Sequence, residues 1–288
     1  MLAQELQQHT PDSALVVEGG AMRGIFAAGV LDAFLDYQYR PFDICLGVSA
    51  GSTNLAAWLA GQRGRNRTVI TDYSCRPEFI SFRRFLRGGH WFDLDWLWDI
   101  TLREIRLDTP TLIAQPIPLY VVTTAVETGD AAYVQATAEN LNELLKASCS
   151  IPLAYRNFPV IDGMPMTDGG VADSIPVIKA YEMGARKITV VLSRPLGYQK
   201  SPVRHPWLIN ALFRDTPKLA EAMLRRAERY NQAIAFINQP PADCELTVIA
   251  PPPEFSVGRT TTDPDKLQAG YRLGMAAATP LMSGAPGL

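Results

Sequence analysis

Ser49 stands between two glycines in Gly47-Val48-Ser49-Ala50-Gly51, and Asp168 precedes two more in Asp168-Gly169-Gly170. A serine hydroxyl flanked by small residues is a candidate nucleophile, because glycine lets the backbone turn tightly and keeps bulk away from the oxygen. A carboxylate elsewhere in the chain is a candidate acceptor for its proton. A third run, Glu18-Gly19-Gly20-Ala21-Met22-Arg23-Gly24, offers main-chain N–H groups able to hold a phosphate or an oxyanion. Each run also has a plain structural reading. Ser49 would be the N-cap of an ordinary strand-to-helix turn, and the other two runs would be simple turns.

The elements around these residues favour the chemical reading. Residues 14–17 form a buried apolar strand, and residues 24–35 a helix, so the first glycine run joins strand to helix. Residues 42–46 are a second apolar strand and residues 52–60 a helical stretch, which makes the turn at Ser49 a nucleophile elbow. Adjacent parallel strands would bring both turns to one sheet edge. Further along, residues 118–125 and 131–136 read as a hairpin turned at Gly129-Asp130, and residues 187–192 and 244–250 read as strands. Helices are expected at 141–147, at 177–183 with a Gly184 stop, at 216–237, and from the Asp263-Pro264 cap onward. The segment 159–165, rich in proline and glycine, reads as turns leading to Asp168. Such alternation argues for an α/β sheet with helices on both faces.

Nucleotide chemistry fits poorly. A Walker A loop needs Gly-Lys-Ser/Thr, and Ile25 follows Gly24. A dinucleotide fingerprint needs a glycine where Ala21 stands. Composition excludes other classes. The 288 residues are 47% hydrophobic with a net charge of −2, so nothing points to nucleic acid. The four cysteines (Cys45, Cys75, Cys149 and Cys244) lack metal-ligand spacing and read as free thiols. The polar start of the chain lacks the apolar centre of a signal peptide, and no apolar run reaches membrane-span length. A cytoplasmic protein is expected, peripheral to the inner membrane face at most.

A serine hydrolase usually takes its base from histidine, and the three here are His9, His90 and His205. The order Ser49, Asp168, His205 matches an α/β-hydrolase triad, but that elbow lies deep in its sheet, and here one strand precedes the strand leading to Ser49. None of the three histidines has a context that would aim it at Ser49, which leaves Ser49 and Asp168 as a dyad.

In order, Gly-Gly-x-x-Arg-Gly, Gly-x-Ser-x-Gly and Asp-Gly-Gly resemble the patatin-like phospholipase family. The approach to Asp168 through Ala147-Ser148-Cys149-Ser150-Ile151-Pro152 and through Asp162-Gly163 resembles it too. The motif-bearing match covers roughly residues 14–195, and the remainder, with Tyr230-Asn231, resembles a bacterial branch. The resemblance implies a three-layer α/β/α patatin-like fold with a central, mostly parallel sheet. It also implies an acyl hydrolase with Ser49 as nucleophile, Asp168 as base, and an oxyanion hole from the first glycine turn. Ala21 replaces the usual third glycine. Alanine tolerates positive φ poorly, so Gly19 and Gly20 are the safer donors. Gly24, Gly47, Gly51, Gly169 and Gly170 shape the three turns. Arg23 either orients the loop by pairing with Glu18 or makes a surface salt bridge. Burial should raise the pKa of Asp168 and glycine N–H donors should lower it, with the balance open. No step calls for a metal or cofactor.

Three units follow: a polar tail over 1–13, a catalytic domain over 14–195, and an extension over 196–288 packed on the same domain. Residues 79–98 interleave aromatic and basic residues, including Trp91, Trp96 and Trp98. They would line an acyl groove, dock on a membrane, or pack on the core with their arginines solvated. Lys218, Arg225, Arg226 and Arg229 read as a solvated face of the long helix. The substrate expected is a lipid or other ester. A general carboxylesterase or acyltransferase with the same dyad, and a catalytically silent lipid-binding module, remain as alternatives. Headgroup, chain length and oligomeric state are left open.

Overall fold

The computed structural model describes residues 10–283. Most of the tail expected over 1–13, His9 included, therefore lies outside the described residues. Eight strands form one sheet: β1 (Ser13–Val17), β2 (Ile44–Val48), β3 (Leu119–Ala125), β4 (Ala131–Gln135), β5 (Val160–Ile161), β6 (Met164–Asp168), β7 (Lys187–Val191) and β8 (Glu245–Ile249). Their order is β5-β6-β3-β2-β1-β7-β8, with β4 also paired to β3. The block from β3 to β8 is parallel, while β4 and β6 run antiparallel to β3.

Alternation along β1 makes three layers. Leu15 and Val17 face one core with Phe26 and Phe34 of α1 (Gly24–Asp36) and Leu55 and Trp58 of α2 (Ala50–Leu59). Ala14 and Val16 face the other, with Val177 and with Tyr230, Ile234 and Ile237 of the long helix Pro217–Asn238. Period-two strands buried on both faces are what a parallel sheet covered by helices requires. The mostly parallel α/β architecture expected from the sequence is thus observed.

Two local readings need correction. β2 runs on through Gly47 and Val48, so half of the serine motif is strand. The proline- and glycine-rich stretch before Asp168 is a short antiparallel hairpin, β5–β6, with Asp162 and Gly163 at positive φ in its turn. Its prolines are tolerated because the pairing is brief and lies at the sheet edge.

The last helix, Pro264–Ser283, packs along α1. A Cβ at Gly29 would overlap the Tyr271 carbonyl, and one at Gly274 the Phe26 carbonyl, so the two backbones touch. Tyr271 Oη donates to the buried Asp32 Oδ2 at 2.7 Å across this seam. A further cluster, with Tyr73, Phe79, Phe92, Leu97 and Tyr155, joins residues 79–98 to the segment before β5.

Candidate active site

The parallel pairing of β1 and β2 ends with Val17 opposite Gly47, so the first glycine run and Ser49 emerge side by side. A Cβ at Gly19 would stand 3.0 Å from the Ser49 Cβ, and one at Gly51 would overlap the Val17 carbonyl. Glycine at both positions lets the two turns pack flush. Gly47 and Gly24 serve the same contact: a Cβ at Gly47 would stand 2.6 Å from Ser52 Cα, and one at Gly24 2.8 Å from Ala50 Cβ.

Ser49 has φ 52° and ψ −125°, a conformation costly for a side-chain-bearing residue. Its amide donates to Ser148 Oγ at 2.8 Å, and Ser148 Oγ donates to Val122 O at 2.7 Å. No local sequence pattern marks this clamp. Ser148 lies within the motif run 147–152, but its spacing from Ser49 carries no signal of contact.

Asp168 arrives from the opposite direction. β2 pairs β3 as far as Val48 opposite Val122, and Asp168 takes the next position, opposite Thr123. Its main chain is fixed by N–H donation to Ser150 O at 3.1 Å and by acceptance from Thr124 Oγ1 at 2.9 Å. Asp168 is 5% exposed and Ser49 likewise 5%. The serine hydroxyl lies within interaction reach of the carboxylate. It does not make a well-aligned hydrogen bond there, and catalytic bonds of ligand-free enzymes are often loose in this way. Asp168 Oδ1 accepts from Gly170 N–H at 2.7 Å, while Gly169 lies against the Val122 carbonyl, where a Cβ would overlap. Burial raises the Asp168 pKa, opposed by Arg226, the Ser49 hydroxyl, the Gly170 amide and Arg259, and burial prevails.

Among the described residues, the N–H groups of Gly19, Gly20 and Ala21 have no hydrogen-bond partner. Ala21 adopts φ +50°, so alanine takes the left-handed conformation that a glycine would hold at less cost. Arg23 is buried and does not pair with Glu18 directly. Its Nε and Nη2 donate to Ser193 Oγ at 3.2 and 3.1 Å, and Glu18 Oε2 accepts from Ser193 N–H at 2.6 Å. In place of either expected arrangement, direct pairing with Glu18 or a surface salt bridge, a buried relay runs through Ser193. Arg226 is also misplaced by the sequence reading. Its Nε is sealed from solvent, and Nη2 would stand 3.3 Å from a Cβ on Gly170. Spacing explains this: Leu219, Ala222, Arg226, Tyr230 and Ala233 share the helix face turned to the protein, whereas Lys218 and Arg225 face solvent.

Ser49 borders two cavities. One is largely apolar and reaches past Phe79, Phe92, Leu97, Trp98 and Leu145. The other carries the polar and charged groups, with Gly19, Gly20, Asp168, Lys200, Arg226 and Arg259 along its wall. Among the described residues, no histidine lines either cavity. His90 Nδ1 accepts from Arg156 N–H at 3.1 Å, and His205 is an exposed cap of the helix Pro206–Leu212. Cys149 lies against Ser49 with its thiol pKa pushed up by burial. All four cysteines are free.

Residues 15–181 match the family model described as "Patatin-like phospholipase". The chain belongs to the patatin-like phospholipase family. Residues 216–282 match a second model, a domain of unknown function, DUF6363. The "Uncharacterized protein YjjU" of Escherichia coli is 34% identical over 269 residues, covering 91% of this chain and 74% of that one. "Triacylglycerol lipase 4" of Saccharomyces cerevisiae is 24% identical over 226 residues, 63% of this chain and 24% of its own length. VipD from Legionella pneumophila shares the fold, with a TM-score of 0.52 at 12% identity over 95% of this chain and 67% of that one. Family membership supports a lipid acyl hydrolase activity. No described helix is long and apolar enough to cross a membrane.

Proposed function

We propose that the protein is a serine acyl hydrolase of lipid esters, of the phospholipase A or lipid acyl hydrolase type, working through a Ser49–Asp168 dyad. The observation that carries this reading is Ser49 at positive φ on a strand-to-helix turn, with a buried carboxylate in reach and an apolar cavity beside it. Asp168 takes the Ser49 proton as Oγ attacks the ester carbonyl. The free amides of Gly19, Gly20 and Ala21, with the N-terminus of α2, hold the oxyanion. Collapse expels the alcohol, which takes the proton back from Asp168. Water, deprotonated by the same aspartate, then releases the acid and regenerates Ser49.

Aspartate is ordinarily a weak base for a serine hydroxyl. Burial strengthens it by raising its pKa, and oxyanion stabilisation carries more of the work. The acyl chain runs into the apolar cavity. In the helix that follows Phe79 and Ile80 of its wall, Phe82 (55% exposed) and Leu86 (71% exposed) project beside exposed Arg83 and Arg87, a set suited to peripheral contact with a lipid surface. The protein acts on the cytoplasmic side in this reading.

The test is fatty acid release from phospholipid vesicles by purified protein and by Ser49→Ala. Release by the first and none by the second is expected. Equal release by both would remove Ser49 from the chemistry.

A further inference from the structure

The polar cavity beside Ser49 shares Glu18, Lys200, Arg226 and Arg259 with a second chamber, whose charge is strongly one-sided. Glu18 is its one carboxylate, against Arg23, Arg194, Lys200, Arg226 and Arg259. Arg23 is held by Ser193, and Arg194 lies over the Tyr198 ring at 4.6 Å. Glu18 is occupied by the Ser193 amide. Among the described residues, the side chains of Lys200, Arg226 and Arg259 make no hydrogen bond or salt bridge. Arg226 Nε and Tyr230 Oη are buried and unpartnered. Buried polar atoms are nearly always satisfied, so such a set marks a place where a ligand completes the bonding.

The place is built rather than accidental. Lys200 lies in the loop after β7, and Asn231 clamps its main chain twice, Lys200 N–H to Oδ1 at 2.9 Å and Nδ2–H to Lys200 O at 3.0 Å. Tyr230, the neighbour of Asn231, lies under the Lys200 ammonium at 4.3 Å. Arg226 comes one helical turn earlier on the same face. Arg259 reaches in from the loop after β8 and borders both cavities at Ser49. Arg226, Tyr230 and Asn231 thus all come from the long helix, and Arg226 and Arg259 both belong to the 216–282 segment.

We propose that Lys200, Arg226 and Arg259 form a subsite for the phosphate of a glycerophospholipid, on the leaving-alcohol side of Ser49, so that the 216–282 segment supplies headgroup recognition. This rests on the acyl hydrolase reading above. With the acyl chain in the apolar cavity, the alcohol half of the ester faces the polar one. A neutral glyceride leaves these three side chains without a hydrogen bond, whereas a phosphate accepts from all of them. Burial, then Arg226 and Arg259, push the Lys200 ammonium down to about 7, the mark of a chamber short of negative charge.

The experiment compares kcat/KM on dihexanoyl phosphatidic acid and dihexanoylglycerol, which differ only in the phosphate, for wild type, Lys200→Met and Arg259→Gln. Arg259 is exposed, so its substitution is safe for folding, and a ratio cancels any effect passed through Asp168. Wild type should favour the phosphatidic acid, and each substitution should cut that ratio by about ten-fold or more. A wild-type ratio near unity, or equal losses on both esters, would assign the cations to the oxyanion and overturn the proposal. Inorganic phosphate separates the two sources of the anion. No effect, or competition against phosphatidic acid alone, supports the lipid phosphate, and equal inhibition of both esters assigns the site to free phosphate and overturns it. If neither ester is cleaved, the hydrolase reading fails separately. Calorimetric binding of the same two lipids then decides: a preference for phosphatidic acid lost in Arg259→Gln supports the subsite, and equal binding overturns it.

Discussion

Ser148 holds the amide of Ser49 at 2.8 Å from 99 residues away in the chain. The same hydroxyl donates to Val122 O, so one buried side chain ties the serine turn, β3 and the helix Leu141–Cys149 together. Ser148→Ala leaves a buried N–H and a buried carbonyl unsatisfied, and should cost about 2 kcal/mol in chemical denaturation. Because a small displacement of the nucleophile is expensive, kcat/KM should also fall, by up to about 100-fold. Unchanged activity in a destabilised variant would limit Ser148 to a structural role.

In the proposed dyad Asp168 must be ionised to accept a proton, and its pKa is raised above the ordinary carboxylate value, chiefly by burial. Activity should therefore decline as pH falls through that raised pKa, not at the usual value near 4. A pH–rate profile of kcat/KM checks this. An acid limb at or below the ordinary aspartate range would contradict it.

The same shift predicts a stability effect. The folded state holds the Asp168 proton more tightly than the unfolded state does. The contribution to stability is therefore full below the unfolded pKa and is lost as pH rises through the folded one. An asparagine at this position cannot ionise. Thermal melts of wild type and Asp168→Asn should diverge with rising pH, the variant gaining relative to wild type until Asp168 is fully ionised. A difference that is constant across pH would contradict the raised pKa.

Much of the fold was legible because its central strands are continuous apolar runs. Residues 14–17 and 187–192 announce buried parallel strands, and the glycine turns that follow β1 and β2 mark where helices begin. The β5–β6 hairpin was not legible. Pro159, Gly163 and Pro165 are strong turn signals, and only the pairing of β6 with the C-terminal end of β3 makes that segment a strand. At the site, residue types single out Ser49, Asp168 and the glycine turn as candidates, and the sheet register brings them to one edge. The Ser148 clamp and the Ser193 relay depend on contacts between distant segments, which no local pattern encodes. Arg226 was legible in principle, since its spacing from Ala222 and Tyr230 puts it on the apolar face. Charge alone pointed the wrong way.

The seam between α1 and the last helix offers a test of how the 216–282 segment belongs to the fold. Tyr271→Phe removes a hydrogen bond to the buried Asp32 and should cost about 2 kcal/mol. Gly274→Val forces apart two backbones in contact and should cost about 3 kcal/mol. We expect both to shift one cooperative urea transition. A separate early transition for the C-terminal segment would instead mark it as an independently folding unit.

The central claim is that Ser49 is activated by Asp168 without an imidazole. The most direct measurement is covalent labelling by a fluorophosphonate, followed by intact mass and peptide mapping, in wild type, Asp168→Asn, His90→Ala and His205→Ala. We predict labelling at Ser49 in wild type and in both histidine variants, and its loss in Asp168→Asn. A folded His90→Ala or His205→Ala protein that no longer labels, or a wild type that never does, would contradict it.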